Sequence, residues 1–463
     1  MTSLTAVKTT GIYCRPGCGA KPLVRNTQRF DLAAAAEAAG YRACLRCRPY
    51  RTSQHSFWTG PEVVCKGVQM ILLGGLDSAT EAELAEKLGV SARHLRRLFH
   101  THLGVTPTEL ARSSRAHFAR RLLDDTDLSV TEIAFASGFG SVRQLNRTCR
   151  EIFRAAPSEL RARRRRSDRL VADGGLALRL PYDGPLDWKG MLEYFAPRAI
   201  PGVEHVSEDA YRRTVLIEDN PGVIEVLAGG DDHLILKAHL PHWGGLIHIA
   251  QRTRSIFGLD SGLEEGQRHL GDDPTIGPLI AKKLGIRVPG VWDPFEIGVR
   301  AIIGQGITVA GATTITGKLV GDHGTPVPGL DAMGLAHLFP VPSALANADL
   351  TGLGLTRSRQ EAIRGFSKAV LACEVPIDGS AGLSELVAAI CSIPGVGLWT
   401  ANYIALRMGE PDAFPDTDLG LQRAHDRISD GSETSLAAAA EAWRPWRSLA
   451  AIHLWVGDIP LNS

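Results

Sequence analysis

Four cysteines crowd the start of the chain. They stand in TTGIYCRPGCGAK and YRACLRCRPY as Cys14, Cys18, Cys44 and Cys47, with three residues inside the first pair, two inside the second and 25 between the pairs. Four sulfurs at such spacings suit a tetrahedral zinc ion. A bound metal keeps a thiol deprotonated, and the thiolate is the nucleophilic form of cysteine. Arg15, Arg42, Arg46 and Arg48 lie among the four. That positive charge would draw an anionic substrate towards an electron-rich sulfur. The cluster therefore has the make-up of a group-transfer site as well as that of a structural metal site. Cys65, Cys149, Cys373 and Cys391 stand alone and read as small buried apolar residues.

A second stretch with chemistry in it is SIPGVGLWTANYIALRMGEPDAFPDTDLGLQRA, residues 392–424. IPGVG sits between two helical patterns, the arrangement of a helix–hairpin–helix. Gly395 and Gly397 permit a tight turn whose backbone amides can come close to a phosphate. Asp416 and Asp418 follow, each either a capping or surface aspartate or a carboxylate that does chemistry. Trp399 and Tyr403 are four residues apart and share a helix face. Such spacing ordinarily means core packing; the functional alternative is an electron-rich pocket for a cation.

The elements that must position these groups follow from length, charge and pattern. A chain of 463 residues should hold about three domains of roughly 100–200 residues each. The net charge of +1 hides an asymmetry: residues 1–170 hold 28 Lys+Arg against 15 Asp+Glu, and the remainder 23 against 35. A basic first third points to a polyanion, most often nucleic acid. No apolar run approaches the about 18 residues of a membrane helix, and no signal peptide leads the chain. A cytoplasmic protein without a membrane partner is expected, where clustered cysteines bind metal or react in preference to forming disulfides.

Residues 1–52 form a cysteine-bearing, turn-rich segment, and 61–161 are helical in pattern. Within the latter, ATEAELAEKLGVSARHLRRLFHTHLGVTP turns at Gly89 and restarts at Ser91. LSVTEIAFASGFGSVRQLNRTCREIF repeats the plan with Gly138, Gly140 and Ser141. These are two helix-turn-helix units. Their second helices carry Arg93, His94, Arg96 and Arg97, then Arg143, Gln144, Asn146 and Arg147, side chains able to contact phosphates and base edges. The basic run RARRRRSDRL opens a linker over 162–173 that reads as a solvated tether or a phosphate-binding arm. Residues 174–284 show short alternating runs broken by Gly, Asp, Asn and Pro, the mark of antiparallel strands, and 285–463 return to helices. The fold class expected is multi-domain α+β: a small zinc-bound domain, an all-α tandem helix-turn-helix domain, an antiparallel β/α subdomain and an all-α helix–hairpin–helix domain.

Three resemblances attach to these motifs. TTGIYCRPGC…ACLRC resembles the zinc domain of the bacterial adaptive-response (Ada) proteins, which takes methyl groups from methylphosphotriesters in DNA. The resemblance implies that Cys14 is both methyl acceptor and zinc ligand, with Cys18, Cys44 and Cys47 as the other ligands. That family carries a further segment ahead of the motif, whereas 13 residues precede Cys14 here. The tandem helical units resemble the AraC-type DNA-binding domain; Arg154 stands where that family often has glycine, which predicts a locally altered turn. Residues 176–459 resemble the helix–hairpin–helix DNA glycosylases of the 3-methyladenine glycosylase II (AlkA) type. GPLDWKGMLEYFAPRA, DPFEIGVRAIIGQGITVA and WRPWRSLAAIHLW share in that match.

The glycosylase resemblance implies that Asp418 is the catalytic carboxylate and Asp416 its near competitor. It implies a base pocket of Tyr194, Trp399, Tyr403 and Trp455, and a monovalent cation at the hairpin turn when DNA is bound. Relatives that cut the strand through a Schiff base have lysine where Trp399 stands, so a monofunctional glycosylase without lyase activity is expected. The family's intercalating wedge corresponds to Gly306, flanked by Gln305 and Ile307, and glycine cannot fill a base-sized gap.

The reading is thus a fused alkylation-repair protein: a suicide cysteine methyltransferase and transcription regulator joined to an N-glycosyl hydrolase acting on alkylated bases such as 3-methyladenine. The Pro-Cys-His-Arg motif of O6-methylguanine repair does not occur. Expected partners are double-stranded alkylated DNA, promoter DNA and RNA polymerase, with the protein a monomer. The competing reading is a methylation-sensing activator whose C-terminal half only binds DNA.

Overall fold

The structure is a computed structural model that describes residues 3–52, 60–171, 174–429 and 435–458. Residues 172–173, at the end of the basic linker, lie outside the described residues. The chain divides into two compact units, residues 1–183 with 232–252, and residues 184–231 with 253–463. Mixed α+β architecture is borne out.

The first unit opens with four short strands, β1 (Leu4–Val7), β2 (Ile12–Cys14), β3 (Thr27–Phe30) and β4 (Arg42–Ala43), in the order β3-β1-β2-β4. β1 and β2 form an antiparallel hairpin with Thr5 opposite Cys14, so the few residues ahead of Cys14 supply its neighbouring strand. β4 runs parallel to β2, with Tyr13 opposite Ala43, and both strands therefore end at the same edge. Helix α1 (Ala33–Ala38) covers the sheet with its buried alanines.

Among the described residues seven α-helices follow: α2 (Glu62–Leu72), α3 (Glu81–Lys87), α4 (Ala92–Leu103), α5 (Pro107–Asp125), α6 (Val130–Ala136), α7 (Val142–Phe153) and α8 (Pro157–Ala162). Their starts are written in local chemistry. Thr80 with Glu83, Thr106 with Glu109 and Ser129 with Glu132 form capping boxes. Ser91 accepts from the His94 amide and Ser141 from that of Gln144, as expected of N-caps. Leu84, Leu95, Phe99, Val64 and Val68 make one core cluster. The long α5 runs through this unit, and its buried C-terminal end carries Arg120, Asp124 and Asp125.

Two expectations change here. Arg154 holds the same left-handed cap (φ 56°, ψ 32°) as Gly104 in the first unit (φ 71°, ψ 13°), so the turn keeps its shape despite the residue change. The basic linker is not a free tether over its described length. Asp168 is buried against Arg48 (2.5 Å), and Arg164 donates to the Thr126 carbonyl (2.8 Å) and to Asp127 (2.8 Å).

Strand β5 (Leu176–Pro181) closes this stretch of the first unit. The chain then enters the second unit with α9 (Trp188–Phe195) and an antiparallel meander of β6 (Glu204–Val206), β7 (Ala210–Ile217) and β8 (Asn220–Ala228). It returns to the first with β9 (His233–His239), antiparallel to β5, and continues into α10 (Leu246–Ile256). The rest of the second unit is mostly helical: α11 (Leu263–Leu270), α12 (Gly277–Lys282), α13 (Pro294–Ile303), α14 (Val309–His323), α15 (Pro342–Leu345), α16 (Arg357–Leu371), α17 (Leu383–Cys391), α18 (Leu398–Arg407), α19 (Leu419–Ile428), α20 (Leu436–Ala440) and α21 (Arg447–Asp458). The all-α expectation for 285–463 is corrected by a short antiparallel pair, β10 (Thr325–Pro326) with β11 (His337–Leu338), between α14 and α15. Helix α13 is almost wholly buried and packs on α14, α16 and α18. Gly298 lets Phe366 of α16 come so close that a Cβ would sit 2.3 Å from its ring. No described helix is long and apolar enough to cross a membrane.

Candidate active site and metal centre

The strand geometry explains the cysteine cluster. Cys14 ends β2 and Cys44 follows β4, and the Cys44 amide donates to the Tyr13 carbonyl (2.9 Å). Cys18 and Cys47 return on the two short turns that follow, the first through Gly17 at φ +74°. One ligand atom from each of the four lies within 4.8 Å of all the others. Burial first, then the Cys47 and Cys44 sulfurs, push the Cys14 thiol well up; Cys47 is pushed up to about 12, chiefly by burial. Burial opposes ionisation of Cys44 too, but the amides of Cys47 and Arg46 donate to it and its value falls below the ordinary one. Four sulfurs this crowded repel one another as thiolates, and a divalent cation among them removes that repulsion, so the donor set fits zinc.

The four arginines do not share one role. Arg15 and Arg46 are exposed. Arg48 is 7% exposed, takes φ +49°, and neutralises Asp168 (2.5 Å) and Asp124 (3.6 Å) inside the unit. Its charge is spent where two buried carboxylates need it, and a phosphate cannot reach it. Cys14 is itself 7% exposed, while Cys18 and Cys47 are more open.

On the two second helices the expected readers separate similarly. Arg96 pairs with Glu81, which also accepts from Thr108 (2.5 Å from its hydroxyl). Arg97 meets His94 at 2.9 Å. Gln144 accepts from the Gly140 amide (3.0 Å), Asn146 donates to the Val142 carbonyl (2.9 Å), and Arg147 lies 3.9 Å from Glu151. Arg93 and Arg143 are exposed on the first turns of α4 and α7.

In the second unit α17 and α18 flank the Ile393–Gly397 turn, the helix–hairpin–helix expected. The two glycines differ. Gly395 has φ +88° and packs on Ser358 and Ala362 of α16, whereas Gly397 is in an ordinary conformation with nothing near its Cβ direction. It caps α18 without a side-chain bond, leaving the helix's first amides open to an anion.

Behind this turn lies a cavity of about 300 Å³ lined by Tyr194, Trp399, Tyr403, Trp455 and Asp418, together with arginines and aliphatic residues of α13 and α14. All four expected aromatics are brought together. Trp399 and Tyr403 stack at 5.5 Å and 7°, and Trp455 meets Tyr403 edge-on at 6.1 Å. Asp418 accepts the Trp399 indole N–H at Oδ2 (2.8 Å) and that of Trp455 at Oδ1 (2.9 Å). Oδ1 also accepts the Leu421 amide (3.0 Å), because Asp418 is the N-cap of α19. Asp416 is exposed and does not line the cavity.

Sequence reasoning missed the cations around this cavity. Arg198 lies over the Tyr194 ring at 4.1 Å and Arg300 lines the wall. Arg407, buried, donates to the Tyr403 hydroxyl (3.0 Å) and to the Pro289 (2.7 Å) and Gly290 (2.9 Å) carbonyls. Burial pushes Tyr403 up, but Arg407, Arg198 and Arg300 outweigh it and hold the phenol below its ordinary value; Tyr194 is raised by burial. The signal was present: Arg198 follows Tyr194, and Arg407 follows Tyr403, at the four-residue spacing that pairs side chains on a helix.

Comparison with known proteins matches three segments of the chain to family models. Residues 3–50 match the metal binding domain of Ada, residues 84–163 a helix-turn-helix domain and residues 177–293 the AlkA N-terminal domain. Among solved structures, the 3-methyladenine DNA-glycosylase from Archaeoglobus fulgidus matches with a TM-score of 0.54 at 22% identity, over 60% of this chain and 97% of its own, which shows a shared fold. The DNA-3-methyladenine glycosylase 2 of Escherichia coli is 31% identical over 60% of this chain and 95% of its own length. A probable bifunctional transcriptional activator/DNA repair enzyme AlkA of Mycobacterium tuberculosis is 36% identical over 99% of this chain and 94% of its own length. The chain belongs to the family of bifunctional transcriptional activator/DNA repair AlkA proteins.

Proposed function

We propose that the protein repairs alkylated DNA as a monofunctional 3-methyladenine-type DNA glycosylase, joined to a methyl-accepting, DNA-binding regulator. The observation that carries the enzyme reading is the Asp418 carboxylate, held by two indole N–H groups at the wall of an aromatic cavity. The target base is flipped out of the duplex into that cavity. A base alkylated at N3 or N7 is cationic and leaves as a neutral base, so its departure needs no strong acid. Positive charge then develops on the sugar, and Asp418 stabilises it or orients the attacking water. Trp399 and Tyr403 offer stacked faces to the base; Tyr194 already carries Arg198, so it acts as a wall. With Trp399 in place of a lysine, the product is an abasic site and the strand stays uncut. Excision of 3-methyladenine from methylated duplex by the purified protein tests this; promoter binding without excision would favour the regulator reading.

In the first unit the four cysteines would hold zinc, which keeps bound thiols in the nucleophilic thiolate form. Cys14 Sγ forms the new S–C bond with the methyl carbon of a methylphosphotriester as its C–O bond breaks. The electron pair stays on the phosphate oxygen, and the sulfur becomes a thioether. The site loses one negative charge and repels the DNA backbone less, which couples damage to promoter binding. Mass spectrometry after incubation with methylphosphotriester DNA should find one added methylene mass on Cys14. An adduct on the more open Cys18 instead would overturn this assignment.

The same reading divides the chain into a methyl-acceptor domain (1–52), a tandem helix-turn-helix domain (61–161), a linker (162–173) and a glycosylase (174–284 and 285–463). Arg93 and Arg143, exposed on their helices, are the best placed of the base and phosphate readers. A monovalent cation would sit at the carbonyls of the 393–397 turn when DNA is bound. The protein acts in the cytoplasm as a monomer that meets RNA polymerase at its promoter.

A further inference from the structure

Extruding a base from a duplex leaves a base-sized gap in the stack and an unpaired partner base. The loop after α13 is where this chain would meet that gap, because Gly304, Ile307 and Thr308 line the cavity. Gly306, between them, has no side chain to offer and stands at φ +63°, a conformation that disfavours any other residue. Gln305 is not free to help: its amide donates to the Gly395 carbonyl (3.1 Å) and to Thr400 Oγ1 (3.0 Å), tying the loop to the hairpin turn.

One group does occupy the vacant direction. A Cβ placed on Gly306 would meet a single neighbour within 4 Å, Nη2 of Arg359 at 3.8 Å. Arg359 stands in the first turn of α16, half-buried, and donates to the Gln305 backbone carbonyl. Its planar guanidinium is thus anchored at the place where a side chain of residue 306 would begin. Such a plane stacks on bases, and its remaining N–H groups match the carbonyl acceptors of a pyrimidine.

We propose that Arg359 replaces the missing wedge, filling the gap left by the flipped nucleotide and donating to the pyrimidine opposite. The assignment rests on the glycosylase reading above. It makes Arg359 a positioning residue that matters only when a partner strand is present.

The test is single-turnover release of 7-methylguanine from one oligonucleotide, single-stranded and annealed to its complement. Arg359→Ala should slow release from the duplex about tenfold or more, the rate equivalent of one lost base-stacking contact, and leave single-strand release unchanged. Arg359→Gln keeps a donor for the Gln305 carbonyl but is too short to fill the gap, and should be as slow on duplex. Equal loss on both substrates, full rescue by glutamine, or a duplex-only loss in Ile307→Ala with Arg359→Ala unaffected would each overturn the assignment. If the unaltered protein releases no base from either substrate, the glycosylase reading itself falls and takes this one with it. An active unaltered protein matched by Arg359→Ala on duplex removes the Arg359 role alone.

Discussion

Replacing Asp418 by asparagine removes one oxygen's charge and leaves the shape of the side chain. Its two oxygens accept three bonds, from Trp399 (2.8 Å), Trp455 (2.9 Å) and the Leu421 amide (3.0 Å). Asparagine has one acceptor oxygen. Turned towards Trp455 and Leu421, it preserves the cap of α19 and sets its NH2 group against the Trp399 indole N–H. Two donors then face each other, which costs about 1–3 kcal/mol of stability. The loss to catalysis is separate: removing one preorganised group aimed at developing charge costs about 10²–10³-fold in rate. Asp418→Asn should therefore fold, melt earlier in urea, and release 3-methyladenine from methylated duplex about 10²–10³-fold more slowly. Asp416→Asn, altered at an exposed carboxylate away from the cavity, should match the unaltered protein. Near-normal release by Asp418→Asn, with loss in Asp416→Asn, would refute the assignment.

Arg154→Gly relieves a left-handed backbone at the end of α7 and should stabilise the protein by about 1 kcal/mol in urea unfolding, without altering the turn. His453 is buried and its pKa is lowered to about 4 by that burial, with Lys283 adding to the effect. The unfolded chain takes up this proton near its ordinary value, so the neutral histidine's contribution is complete above about pH 6.5, shrinks as pH falls towards 4, and is flat below, a loss of up to about 3 kcal/mol. Urea midpoints between pH 7 and 4 should show it, and His453→Gln should flatten that part of the profile. The native protein should carry a single zinc ion per chain by atomic emission, and Cys44→Ala should lose it and unfold the N-terminal sheet; full zinc retention in that variant would refute the four-cysteine site.

What could be read in advance was what depends on near neighbours. The caps at Ser91 and Ser141, the hairpin turn and the cysteine pairs are each written within a few residues. So was the pairing of Trp399 with Tyr403, one helical turn apart. What escaped depends on partners far along the chain. Arg48 reads as one more phosphate-facing arginine until Asp124 and Asp168, 76 and 120 residues on, fold against it. Gly395 and Gly397 look equivalent in PGVG, yet only Gly395 is pressed against α16. The linker's arginines read as a solvated run because the carboxylate that anchors two of them, Arg164 and Arg169, is Asp127, 37 and 42 residues away.

Asp418 shows why a capping reading and a catalytic one need not compete. A cap must stand just before a helix with its oxygens turned back onto the first amides, and that fixes where the carboxylate points. α19 thus aims Asp418, and α18 and α21 each supply one indole N–H to the two oxygens. Three helices of one C-terminal stretch, residues 398–458, converge on one side chain, and the bonds that satisfy the cap also hold the carboxylate rigid at the cavity wall. Preorganisation of that kind is what a group needs if it is to meet charge that exists only in the transition state. A carboxylate freed from its cap would gain reach and lose that alignment. Asp418→Glu, longer by one methylene, should therefore lower the rate while keeping the charge. If it matched the unaltered protein, alignment by the cap would not matter to the chemistry.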